Sequence, residues 1–407
     1  MSKHAQFGKH LRSEFLIEPE FTPLNHGSYG ALPKALLPII QEFRMKAEAS
    51  PDRWLKREVF PLIDRNKAAI AELIHADPNE LVFVFNAMTG INTVARSLPL
   101  KAGDKVLYFN TAYNAVESTI QFINDFESLK LVKIDLAYPL SDHAILEQIK
   151  ETIEYENSLQ NGSIKVCFMD AITSVPGLLF PFEAVVKLVR EYSILSLVDG
   201  AHAIGQIPLD LHAVDPDFFI TNCHKWLYAP RGCAVLYVPL RNQHLVHPAI
   251  INASYQHHPQ PGTNTFQLEF AWPGTTDFTN FLCVEAALAF RKSIGGEKAI
   301  MDYCHDLAVS GGQLAATILG TEVLENEEKT LTTALVNVRL PINPAKIQSD
   351  PTFIQLSVDE LIYKHHCMAS VFKHNGQWYA RLSAQVYNDL SDFEYVAKAL
   401  LDLCHQQ

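Results

Sequence analysis

Six short apolar runs between residues 81 and 238 constrain the fold more than any other feature of the sequence. Residues 81–85 (LVFVF), 105–109 (KVLYF), 165–169 (KVCFM), 195–198 (LSLV), 218–220 and 234–238 (AVLYV) are rich in β-branched and aromatic side chains. Each is too short for a buried helix and reads as a buried strand. Between two of them, residues 181–192 carry apolar side chains at 182, 185, 186, 189 and 192. That spacing makes one helical stripe, and Pro181 suits its first turn. Strands alternating with helices over 55–270 predict an α/β fold, a doubly wound and mostly parallel sheet. Ligands of such sheets gather at the carboxyl ends of the strands.

Beyond about residue 275 the pattern changes. A helix at 281–292, strands at 332–340 and 378–382 and a last helix at 392–403 predict a smaller α+β domain. A chain of 407 residues is long for one core, and three parts are expected: an N-terminal segment at 1–50 packing on the small domain and the active-site mouth, a large domain at 51–280, and a small C-terminal domain at 281–407. The stretch 252–265, rich in His, Pro, Gly and Asn, reads as an ordered functional loop.

Composition narrows the partners. The net charge of −12, with 48% hydrophobic and 19% charged residues, describes a soluble globular protein and argues against nucleic acid or an anionic membrane. Seven cysteines without paired spacing read as reduced thiols, not as a disulfide framework. With no apolar stretch long enough for a secretory signal or a membrane span, the cytoplasm is the expected compartment.

Two segments carry candidate chemistry. In LVDGAHAIGQIPLD, Asp199 closes an apolar strand and His202 follows it. In DFFITNCHKWLYAPRG, another apolar strand ends in a polar turn holding His224 and Lys225. The interval between Asp199 and Lys225 leaves room for one crossover, so both can reach the same sheet edge. An aldehyde cofactor needs a lysine to bind it and act as a mobile base, and a carboxylate to keep its pyridine nitrogen protonated. Taken alone, a strand-end aspartate is more often structural than catalytic and a His-Lys pair means almost nothing; in a polar turn between apolar strands, the residues leave both roles open.

VDGAHAIGQIPLD and TNCHKWLYAPRG together resemble the signature of the class V aminotransferases, which are fold-type I pyridoxal phosphate (PLP) enzymes. The similarity runs from LNHGSYG (24–30) to RLSAQVYND (381–389), and these two motifs resemble the isopenicillin N epimerase-like branch. That branch includes fungal lyases that cleave hercynylcysteine sulfoxide in ergothioneine biosynthesis. The resemblance implies a large domain whose mixed, mostly parallel sheet is sandwiched by helices, with a smaller α+β domain behind it. It also implies a homodimer with shared active sites.

The resemblance assigns Lys225 as the Schiff-base lysine and Asp199 as the pyridinium partner. His202 matches the side chain near the cofactor's phenolic oxygen, and Tyr113 the ring-stacking aromatic. The backbone of Ala87, Met88 and Thr89 is expected to meet the phosphate; Met88 departs from the family's usual threonine, so only its backbone is carried over. Asn222 and His224 match further phosphate contacts, and Thr275 the residue that reaches the partner's phosphate. Arg381 matches the clamp for the substrate α-carboxylate. Asn25, His26, Gly27 and Ser174 are expected at the substrate mouth, and Arg231 either reaches a second anion or holds the turn.

The run His365, His366, Cys367 resembles the mobile cysteine loop of cysteine desulfurases, but a buried structural cysteine is the favoured reading. Adjacent ligands of this kind do not wrap a tetrahedral zinc, and no metal is expected. The implied activity is a PLP-dependent C–S lyase releasing pyruvate and ammonia from a cysteine conjugate. A cysteine desulfurase, an epimerase and an aminotransferase are its rivals within the family. A PLP-fold binding module without catalysis is the alternative outside it.

Overall fold

A computed structural model describes residues 7–256 and 263–406. Its strands are β1 (Thr22–Pro23), β2 (Leu81–Val84), β3 (Lys105–Phe109), β4 (Lys130–Ile134), β5 (Ile164–Asp170), β6 (Leu195–Asp199), β7 (Phe218–Asn222), β8 (Ala234–Tyr237), β9 (Leu335–Arg339), β10 (Cys367–Met368), β11 (Ser370–His374) and β12 (Gln377–Ser383). Seven of them form one sheet in the order β2-β8-β7-β6-β5-β3-β4. β8 runs against both its neighbours, and the pairings from β7 across to β4 are parallel.

The six apolar runs of the sequence are six of these strands. They are apolar throughout because helices cover both faces of the sheet. In β3, Leu107 and Phe109 enter one core while Val106 and Tyr108 enter the other, the two-residue alternation of a pleated strand. The seventh strand, β4, stands at the sheet edge, where Lys130 is exposed while Val132 and Ile134 turn inward. Its lysines interrupt the apolar run, so composition does not mark it. The helix expected at 181–192 spans Phe182–Glu191, and Pro181 occupies its N-cap instead of its first turn.

A three-stranded antiparallel sheet, β11-β12-β9, forms the C-terminal part. The turn joining β11 to β12 places Asn375 and Gly376 at positive φ, 46° and 74°, the geometry that an Asn-Gly hairpin favours. Helices Glu297–Leu319 and Leu390–His405 pack on this sheet around Trp378, Leu382, Val396 and Leu400. β9 begins at Leu335, later than the pattern predicts, because the Gln206 side chain binds the Thr333 hydroxyl and the Ala334 N–H.

The N-terminal residues connect the two parts. β1 pairs with β10, while Phe15 and Leu36 share a core with Trp226, Phe290 and Tyr387. All seven cysteines are buried and unpaired. No described helix is long and apolar enough to cross a membrane, and the described residues contain no group of three or more metal-ligating side chains. Of the loop expected at 252–265, residues 257–262 lie outside the described residues; at its start Asn252 donates to the Glu269 carbonyl at 2.6 Å.

Candidate active site

The carboxyl ends of β5, β6 and β7 stand side by side, and a cavity of about 230 Å³ opens above them. Asp199 closes β6, is buried, and takes a hydrogen bond from the Ala201 N–H at 2.9 Å. Lys225 follows β7 in a tight turn. Burial lowers its amine to about 8, the opposing attraction of Asp199 notwithstanding. Lys225 Nζ lies 3.1 Å from His202 Nε2, while Trp226 Nε1 donates to His202 Nδ1 at 3.3 Å.

LNHGSYG explains how the turn is held. His26 is buried, not at the mouth: its Nε2 lies 2.9 Å from the Lys225 carbonyl and its Nδ1 is 2.7 Å from the Tyr387 hydroxyl. Burial pushes His26 down to about 3, so it works as a neutral strut. Gly30 has φ of +69°, and a Cβ there would lie 2.0 Å from the His224 carbonyl oxygen. Glycine is therefore required where this segment crosses the lysine turn. Gly27 is packed against Leu335, Ser383 and Trp226, so it too is structural. Arg231 donates to the carbonyls of Tyr29 and Gly30, both at 3.1 Å, which is the turn-holding alternative.

Arg381, on β12, is 2% exposed and has no acidic partner among the described residues. One terminal nitrogen donates to the Ser174 carbonyl at 2.7 Å, and the other to Asn25 Oδ1 and Ser28 Oγ at 2.9 Å each. Its Nε has no partner, and burial lowers the guanidinium to about 10. A buried cation held by neutral oxygens has an unmet demand for an anion.

Ala87, Met88, Tyr113, Ser174, Asp199, His202, Asn222 and Lys225 all line the cavity. Two of the three backbone donors expected for a phosphate are committed within the chain. Ala87 N–H donates to Asn222 Oδ1, and Thr89 N–H donates to the Asn86 side chain that caps the helix Ala87–Ser97. His224 turns its Nδ1 to the Cys233 carbonyl at 3.1 Å. Thr275 is exposed and outside the cavity. Ser28, Tyr29, Asn86 and Asp170 line the cavity without having been expected. Asp170 carries the signal that marked Asp199, an acid closing an apolar strand.

Cys367 lies in β10, paired with Thr22 of β1, and burial pushes its thiol up to about 12.

The chain belongs to the class V aminotransferase family, whose model matches residues 30–396. Its cofactor is pyridoxal phosphate, and the site fits it: a lysine lowered to about 8 by burial, a buried carboxylate on the adjacent strand and a cavity that both side chains line. The chain is 31% identical to the hercynylcysteine sulfoxide lyase of Schizosaccharomyces pombe, over 99% of this chain and 100% of that protein. It is also 31% identical to the L-cysteine desulfhydrase-like protein lolT1 of Epichloe uncinata, over 100% of this chain and 97% of that one. Among solved structures, the cysteine desulfurase of Thermococcus onnurineus NA1 shares the fold, with a TM-score of 0.78 at 18% identity over 98% of this chain and 99% of that chain.

Proposed function

We propose that the protein is a C–S lyase that cleaves a cysteine conjugate by α,β-elimination, with hercynylcysteine sulfoxide as its substrate. The observation that carries elimination over sulfur relay is the absence of cysteine from the described cavity lining, with Cys367 tied into β10. Kinship with a lyase of that name supports the substrate.

The residues divide the work. Arg381 supplies the cation that holds the substrate carboxylate. Lys225, with its amine lowered to about 8, is the base for the α-proton. Trp226 fixes the tautomer of His202, whose Nε2 then faces Lys225 as a donor. Asp199 presents a carboxylate to the cofactor's ring nitrogen. Tyr113, 47% exposed and lining the cavity, would cover the ring. Bound pyridoxal phosphate supplies an electron-withdrawing ring that stabilises negative charge at the substrate Cα. In the overall reaction the β-carbon–sulfur bond breaks and the sulfur departs as a sulfenic acid. The remaining three carbons take up water and yield pyruvate and ammonia.

The proposal extends to assembly. Asn25 and Ser28, then Asp199 and Lys225, then Arg381 come from the three parts divided at 50 and 280, so the site requires all of them. Thr275, exposed and outside its own cavity, is assigned to the partner's phosphate in a homodimer, and the cytoplasm is the place of action. Incubating the holoenzyme with hercynylcysteine sulfoxide and other cysteine conjugates tests the reading. Pyruvate from the sulfoxide supports it, and another PLP reaction without pyruvate rules it out.

A further inference from the structure

Asp170 closes β5 in register beside Asp199 of β6. In-register neighbours on parallel strands point to the same face with backbones about 4.8 Å apart. Both side chains line the cavity with Lys225, and they are 6% and 7% exposed. Asp199 has a backbone donor in the Ala201 N–H. Asp170 has none among the described residues: burial, the charge of Asp199 and the opposing charge of Lys225 are what act on it. Two carboxylates this close in a desolvated site do not both ionise. Burial raises the Asp199 carboxyl as well, opposed by its N–H donor and by Lys225, so Asp170 is the readier of the two to keep the proton.

We infer that Asp170 is a positioning residue for the cofactor ring, holding the proton of the Asp170–Asp199 pair as a hydrogen bond to Asp199, so that Asp199 alone faces the ring nitrogen as an anion. The inference rests on the PLP site described above. It adds a residue that restricts the floor of the site to a single negative charge. The groups around Asp170 are Asp199 from β6, Lys225 from the turn after β7, and Tyr138, whose hydroxyl is buried with no partner among the described residues and would be held further from ionising by an anionic Asp170. Arg381 acts on Lys225, and Lys225 in turn acts on His202. Burial and Asp199 both raise the Asp170 carboxyl well above the usual range, consistent with a neutral acid.

The test uses the holoenzyme and its absorbance, not its turnover. The pH midpoint of the yellow band of Lys225-bound cofactor is measured for wild type and Asp170→Asn, and cofactor dissociation for wild type and Asp170→Leu. A neutral Asp170 predicts that Asp170→Asn, which stays uncharged, moves the midpoint by less than about half a unit. An anionic Asp170 would make that variant lower the midpoint by about one unit or more, since a negative charge near a cation would be lost; any shift above half a unit overturns the inference. Asp170→Leu is expected to weaken cofactor binding about tenfold through loss of a hydrogen bond to a charged group; a change below threefold overturns the role. Should Asp170→Leu not fold, infrared difference spectra decide: a protonated-carboxyl band in wild type that is lost in Asp170→Asn supports the inference, and its absence from wild type overturns it. A wild type without any yellow band would instead refute the cofactor site itself.

Discussion

Lys225 Nζ stands 3.1 Å from His202 Nε2, and the imidazole's other nitrogen accepts the Trp226 indole N–H at 3.3 Å. An indole N–H only donates, so His202 Nδ1 is the acceptor and Nε2 carries the hydrogen. Burial, then the charge of Lys225, keeps His202 well below its ordinary value and therefore neutral. A neutral donor facing Lys225 favours the free amine.

The consequence for stability has a definite sign. Lys225 falls from 10.5 to about 8 in the fold, so the unfolded chain binds more protons between those values and apoprotein stability rises across that window. Below pH 8 the buried lysine costs roughly 3 kcal/mol. Lys225→Met apoprotein is therefore expected to be more stable than wild type at pH 7, with the difference shrinking as pH approaches 10.5. Denaturant melts at a series of pH values check this.

Arg381 is buried with no acidic partner among the described residues, so it costs folding stability, and in the proposed site it holds the substrate carboxylate. Arg381→Met is expected to lower kcat/KM about 100-fold, as losing a charge-assisted carboxylate contact costs roughly 2–3 kcal/mol. Its folding stability should stay level or rise. Steady-state kinetics with and without the substrate α-carboxylate, alongside melts, separate the two effects.

Cys367→Ala is expected to keep turnover within about twofold while losing roughly 1 kcal/mol of stability from the cavity it leaves. A persulfide relay through this thiol would instead abolish sulfur release. Assay of sulfur product and pyruvate from one reaction distinguishes these outcomes.

Arg291 is fully buried, donates to the Trp226 carbonyl at 2.6 Å and to the Gly205 carbonyl at 3.0 Å, and is paired with Glu297 at 2.5 Å. Glu297→Ala strands that cation, and removing one partner of a buried pair typically costs about 3–5 kcal/mol. Because Arg291 anchors the residue after Lys225, cofactor affinity should fall as well. Thermal melts with and without added cofactor measure both.

How much of this was legible in the sequence depended on which forces write themselves locally. Strands buried on both faces need continuous apolar runs, so β2, β3 and β5 to β8 could be read directly. β4 lies at the edge and keeps its lysines, so its pattern is diluted. Lys225, Asp199 and Arg381 stand out in the sequence because strand ends and family motifs mark them. Asp170 closes a run as apolar as that of Asp199, yet only register shows that the two are neighbours. His26 was expected at the mouth, but its motif reflects packing: it braces the lysine turn from beneath. The expected phosphate donors Ala87 and Thr89 follow from helix position, whereas their capture by Asn222 and Asn86 depends on tertiary contacts.

The most direct test of the central claim is the product balance of purified holoenzyme with hercynylcysteine sulfoxide. One pyruvate and one ammonia per sulfoxide consumed, in wild type and Cys367→Ala alike and in neither case with Lys225→Ala, is the predicted result. Alanine in place of pyruvate, or exchange of the α-hydrogen with solvent while the carbon–sulfur bond stays intact, would contradict it.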